Sequence, residues 1–304
     1  MVNLELEISK DFFEKEIRNN FPVTEERKQI WAVELDLLNK FDSVCKNHSL
    51  NYCVGAGTML GAVRHKGFIP WDDDIDVYML REDYDRFCLL HEEFKHPYFL
   101  QNAYSEPNML KSFVRLRNSC TTGCTTQDIH KRINKGIFID IFPIDGVSDN
   151  VILDKIQKFE VFWLKKLYSL YNRSRIPLYG SFFSKIFQFA VIVSGKLFIR
   201  DRLKLFETGE KVTKRYSKPD TLFWGNRSIN FDCPKSRRPL SDYQNVVLMP
   251  FEMLEVPVPS NYDAMLSQQY GDYMKIPKNK NENLHGKLII STECDFDNLM
   301  KRAK

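Results

Sequence analysis

The sequence has no Cys-x-x-Cys pair, and its seven cysteines are scattered at Cys45, Cys53, Cys88, Cys120, Cys124, Cys233 and Cys294. An odd, unpatterned set excludes a disulfide framework and a structural zinc site as organising features, and a reducing cytoplasm is the expected setting. No run reaches the ~18 uninterrupted apolar residues of a membrane-spanning helix. The opening MVNLELEISKDFFEKE lacks the basic-then-apolar layout of a signal peptide. Internal repeats and low-complexity tracts are missing too. So is a strong charge imbalance: the net charge of the 304 residues is only +4. That mild excess suits a protein that handles phosphates or touches an anionic surface, and it argues against a nucleic-acid binder.

With 43% hydrophobic and 28% charged residues, the chain can bury a full core. Residues 1–150 read as a catalytic core. Thr24 is the expected N-cap of a helix over 24–48, with Glu25 and Glu26 in its first turn and apolar residues at helical spacing after them. A strand at 51–54, a turn at Gly55-Ala56-Gly57-Thr58 and a short helix follow. Further strands are expected at 74–80, 97–101, 110–117 and 136–142, with a helix at 82–94.

Residues 151–215 form a second region, helical and rich in Phe, Tyr, Leu and Lys, without Asp or Glu between Glu160 and Asp201. Its stretch 181–200, SFFSKIFQFAVIVSGKLFIR, is apolar but interrupted by Lys185 and Lys196. A helix apolar all round is usually core, so a buried subdomain is the first reading. An acceptor-facing surface or a peripheral contact with the inner face of the membrane is the second. Residues 216–304 are expected to pack on the core as a substrate-binding part, with a helix at 261–270.

Asp74 and Asp76 lie two apart at the start of an apolar strand, so their carboxylates share a face. Two like charges at that spacing call for a cation, and hard oxygen ligands suit Mg²⁺. Asp72 and Asp73 add negative charge. Asp140 interrupts the apolar GIFIDIF, where an ionised carboxylate needs a partner. A metal shared with Asp74 and Asp76 is one solution, giving a one- or two-ion phosphoryl-transfer site with Mg²⁺ or Mn²⁺. An arginine partner is the other.

Gly57 and Gly61 flank Thr58, and glycines at a helix start let a backbone approach a phosphate. The missing Lys-Ser/Thr ending excludes a P-loop. Arg64, His65 and Lys66 follow and are candidates for neutralising a diphosphate, although cations at a helix C-terminus also have a dipole explanation.

The string GTMLGAVRHKGFIPWDDDIDV (57–77) closely resembles the signature of the LicD family, which includes bacterial phosphocholine transferases and the fukutin-type proteins. GIFIDIFPID (136–145) resembles its second block, and FEMLEVPVPSNYDAMLSQQYGDYMKIP (251–277) its C-terminal block. The resemblance implies an α+β, nucleotidyltransferase-like fold: a small mixed β-sheet flanked by helices, with the mainly helical region added. It puts Thr58 in the nucleotide loop and makes Asp74, Asp76 and Asp140 the metal-binding acids, with His285 as a match to a terminal histidine of the family. It also implies a CDP-choline or related donor and a glycan acceptor, lipid-linked in teichoic acid, lipopolysaccharide or capsule assembly. A quaternary ammonium attracts aromatic faces. Trp71 and Tyr270 are the first candidates, with Tyr78, Trp224, Tyr243, Tyr262 and Tyr273 behind them. Transfer of another CDP-linked phospho-alcohol, true nucleotidyl transfer, and an inactive glycan-binding scaffold are the competing functions.

Overall fold

A computed structural model of the chain describes residues 1–109, 111–126, 128–172, 181–186, 189, 193, 202–227, 237–277 and 288–302. It is mixed α and β. A short hairpin, β1 (Glu16–Arg18) and β2 (Phe21–Val23), leads into α1 (Glu25–Asn47). Thr24 caps this helix, accepting the Arg27 N–H at 3.3 Å. Next come β3 (Cys53–Val54), α2 (Ala56–His65), β4 (Asp76–Leu80), α3 (Arg81–Phe87), β5 (Tyr98–Gln101), β6 (Val114–Asn118), β7 (Thr122–Thr125) and β8 (Ile137–Val147).

The helical region then supplies α4 (Val151–Asn172) and α5 (Arg202–Thr213). The C-terminal part holds β9 (Phe223–Gly225), β10 (Arg238–Pro239), α6 (Leu240–Gln244), β11 (Val246–Phe251), β12 (Leu254–Pro259), α7 (Tyr262–Tyr270), β13 (Leu288–Ser291) and α8 (Phe296–Arg302).

The main sheet is built on β8. β4 runs parallel to it, and β3 antiparallel to β4. On the other edge of β8, β6 pairs with its first half and β9 with its end, both antiparallel, and β5 and β10 extend the sheet outward. β8 is longer than the sequence suggests because Pro143 does not end it. Pro143 falls where β6 has stopped, after Ile141, and β9 has not begun, before Asp145, so that edge of the strand needs no donor.

One sheet face is apolar and fully covered: Val77, Met79, Val114, Leu116, Ile139 and Ile141 are all buried. α1 lies over this face, and Tyr98 fixes it by donating its hydroxyl to Asp36 at 2.9 Å. Trp31 of α1 stacks flat on Phe68 at 4.7 Å.

The expected helix at 82–94 is shorter than the spacing suggests. It stops at Phe87, and a 3₁₀ turn at His91–Glu93 replaces its second half. Phe87 and Phe94 then meet edge to face at 5.7 Å, closer than the ~10 Å that seven residues of helix would rise. The β11–β12 hairpin is tied down by its turn residue Glu252, whose carboxylate accepts from Arg18 at 2.5 and 3.0 Å and from the Phe68 N–H at 3.0 Å.

Candidate active site

The second face of the sheet carries the chemistry. Register pairs Asp76 with Asp140 across β4 and β8, and Asp140 with Arg115 across β8 and β6. In-register neighbours share a face, so these three side chains form one row. The next row toward the sheet centre is aromatic: Tyr78 meets Phe142 at 6.1 Å and Phe142 meets Phe113 at 4.6 Å. Acids and arginine thus sit at the rim of an apolar floor.

α2 starts beside this row. The Gly55 N–H donates to the Asp76 carbonyl at 3.0 Å, and the Asp76 N–H donates to the Thr58 hydroxyl at 2.8 Å. Thr58 therefore locks the first turn of α2 onto the head of β4. Gly57 has a specific reason to lack a side chain: a Cβ there would stand 2.6 Å from Asp72 Oδ2. The Asp72 backbone is itself held from below, its carbonyl accepting from Arg27 at 3.0 Å and from the Trp31 indole at 3.1 Å.

Burial, the carboxylates of Asp74 and Asp140, and Asp72 beyond them push the Asp76 carboxyl well above its ordinary range, with Arg115 opposing. Asp140 has an arginine partner in its own row. Both its oxygens accept from Arg115, at 2.6 and 3.1 Å, and the pair is almost fully buried. Among the described residues, no group of three or more His, Cys, Asp or Glu side chains is arranged as it would be around a metal ion. The crowding at Asp76 is nevertheless what a bound cation would relieve. Mg²⁺ commonly takes only one or two carboxylates and completes its shell with water and substrate phosphate. Asp74 and Asp76 fit that pattern without a third acid.

The remaining candidates divide. Gly61 is a packing glycine, where a Cβ would run into the Gly67 carbonyl and lie 3.4 Å from the Phe251 ring. Arg64 donates to His65 Nε2 at 2.8 Å and to the Tyr273 carbonyl at 2.6 Å, joining α2 to the C-terminal part. Burial first, then Arg64 and Arg18, lowers His65 to about 4. Lys66 terminates α2 in the left-handed conformation (φ 57°), with its side chain exposed. Trp71 is buried and packs edge-on against Phe21 at 5.9 Å and His65 at 6.2 Å. Tyr270, at the end of α7, is 42% exposed. His285 lies outside the described residues. Tyr78, Trp224, Tyr243 and Tyr273 are buried.

Three residues at the site were not singled out from the sequence. Arg115 is the first. Lys111 is the second: its ammonium lies 4.8 Å over the Phe113 ring, with Arg115 at 5.7 Å from the same ring. Burial, then Arg115, lowers Lys111 to about 7. Glu34 of α1 is the third. It is buried, with Oε2 lacking a hydrogen-bond partner among the described residues. Burial and the carboxylates of Asp73, Asp74 and Asp72 push it well above the usual range. The sequence carried signals for all of them: basic residues alternating with apolar ones in LKSFVRLR, and an acid on the apolar stripe of α1.

Fold and site together define a nucleotidyltransferase-like protein with an acidic row at the mouth of its sheet. The family model described as LicD/FKTN/FKRP, nucleotidyltransferase domain, matches residues 49–172. The lipopolysaccharide cholinephosphotransferase LicD of Haemophilus influenzae is 30% identical over 260 residues, 83% of this chain and 92% of that protein. An uncharacterised protein of Rickettsia prowazekii is 32% identical over 145 residues, covering 47% of this chain and 48% of its own length. The chain belongs to the LicD family.

Proposed function

We propose that this protein transfers phosphocholine from CDP-choline to a hydroxyl of a cell-surface glycan precursor, releasing CMP. The observation that carries the reading is the in-register pair of Asp76 and Asp140, with Arg115 on one side and the start of α2 on the other. The name of the Haemophilus relative, which covers nearly the same span, supplies the transferred group.

In this reading the acceptor oxygen attacks the phosphorus on the choline side. One P–O bond forms, the P–O bond to CMP breaks, and the hydroxyl proton passes to a carboxylate of the acidic row. Mg²⁺ (or Mn²⁺), as one or two ions, would be held by Asp74 and Asp76, with Asp140 joining by exchange from Arg115, and would neutralise the diphosphate. Arg115 adds positive charge beside it, and Lys111 adds its own when protonated, which favours the charge that develops on the leaving phosphate. The α2 N-terminus, with Gly57 and Thr58, offers backbone N–H groups to the same anion. Positioning and charge neutralisation carry most of the catalysis in phosphoryl transfer. Trp71 is engaged in packing, so the exposed Tyr270 is the better placed of the two aromatic candidates to meet a choline head group.

Mass spectrometry of a glycan acceptor after incubation with CDP-choline and Mg²⁺ tests the proposal. Gain of a phosphocholine mass supports it. Gain of a CMP mass would establish nucleotidyl transfer instead. Turnover of a CDP-polyol or CDP-ethanolamine in place of CDP-choline would keep the mechanism and change the group.

A further inference from the structure

α4 turns two polar groups, Asp154 and Gln157, inward. Asp154 is buried and paired with Arg227 at 2.9 Å, and the buried Gln157 donates to the carbonyls of Val212 and Thr213 at 2.8 and 3.1 Å. The Gln157 contacts dock the helix onto α5, and the ion pair ties it to the segment after β9. The outward side of the helix is apolar. Ile152, Ile156, Phe159 and Trp163 follow one another at helical spacing and are 68, 46, 61 and 39% exposed.

The same spacing recurs further on. Phe182, Ile186, Phe189 and Val193 are helical positions with 72, 50, 60 and 38% exposure. Single exposed apolar residues need no explanation, but two sets with one repeat mark an interaction surface.

Charge identifies the partner. The exposed charged side chains on these helical positions are Lys155, Lys165, Lys166 and Lys185. Both acids of α4 are engaged: Asp154 with Arg227 and Lys158, and Glu160 with Arg215. Aromatic and aliphatic stripes edged only by lysines match an anionic lipid surface. There the rings enter the headgroup boundary and the lysine stems reach the phosphates. A second copy docked face to face would bring these lysines against like charges. Among the described residues no helix is long and apolar enough to cross a membrane, so the contact is one of lying on the bilayer.

We propose that the outward face of α4, together with the exposed Phe182, Ile186, Phe189 and Val193, forms a peripheral docking surface for an anionic phospholipid bilayer. The inference is independent of the transferase reading.

Co-sedimentation of the full chain with vesicles tests it, with no donor or acceptor present, so that failure of the transferase reading leaves the result untouched. The chain binds vesicles of equal parts phosphatidylcholine and phosphatidylglycerol, and binds phosphatidylcholine alone far less. Phe159→Ser with Phe182→Ser weakens binding. Lys155→Glu with Lys166→Glu, which leaves the apolar stripes intact, weakens it at least ~30-fold. All four positions are exposed, and circular dichroism checks that both variants fold. No binding to the anionic vesicles, or equal binding by wild type and both variants, would overturn the proposal. So would a dimer in sedimentation velocity that the same substitutions dissociate while vesicle binding is absent.

Discussion

Asp76 and Asp140 stand in register on adjacent parallel strands, and among the described residues only Asp140 has a cationic partner within hydrogen-bonding distance. Arg115 satisfies Asp140, while Asp76 is left to burial and the field of its acidic neighbours. That asymmetry separates the roles of the two acids and sets the following expectations.

Asp76→Asn removes a carboxylate that the fold does not depend on. Turnover is expected to fall at least ~100-fold, as when a group that stabilises developing charge is lost. Urea denaturation should show stability equal to wild type or higher. A large loss of stability would mean that Asp76 is a structural residue.

Arg115→Ala leaves a buried carboxylate without its partner and is expected to lower stability by ~3–5 kcal/mol. Combining Asp140→Asn with Arg115→Met should recover most of that loss, measured by urea denaturation, while activity stays absent. If the double variant is as unstable as Arg115→Ala, the pair is not the source of the effect.

Thr58→Val keeps the side-chain shape and removes the acceptor for the Asp76 N–H. A buried donor left unsatisfied costs ~1–3 kcal/mol. Turnover should fall through displacement of Asp76, and Thr58→Ser should behave like wild type. Equal activity of the Val and Ser variants would show that the hydroxyl does not position β4.

Glu34 yields a pH dependence. Its pKa in the folded protein is raised, so the folded state holds the proton more tightly than the unfolded chain. Its destabilising effect is absent below the unfolded value, about 4.3, and grows as the pH rises above it toward the folded value. In metal-free buffer, the melting temperature of Glu34→Gln should therefore decline less than that of wild type as pH rises from this point toward neutrality. Parallel curves would show that Glu34 contributes nothing to the slope.

Much of this was legible in the sequence. Asp74, Asp76 and Asp140 stood out because carboxylates interrupt apolar strands, and Thr24 because capping is a local matter. What the sequence hid is pairwise and non-local. Arg115 meets Asp140 only because β6 lies antiparallel to β8 at one particular register. Glu34 meets the Asp72–Asp74 loop only because Arg27 and Trp31 hold that loop on α1. Gly57 and Gly61 look alike in the sequence, yet one makes room for Asp72 and the other for a neighbouring backbone carbonyl. Arg64 is close to the acids in sequence, but its contact with the Tyr273 carbonyl, 209 residues away, shows only in the folded chain.

Calorimetric titration of CDP-choline into the protein with Mg²⁺ and with EDTA, for wild type and for Asp76→Asn, tests the acidic row directly. Binding to wild type should require Mg²⁺ and be lost in the folded Asp76→Asn variant. Binding of equal strength in EDTA, or undiminished binding to Asp76→Asn, would contradict the assignment of the acidic row as the metal and donor site.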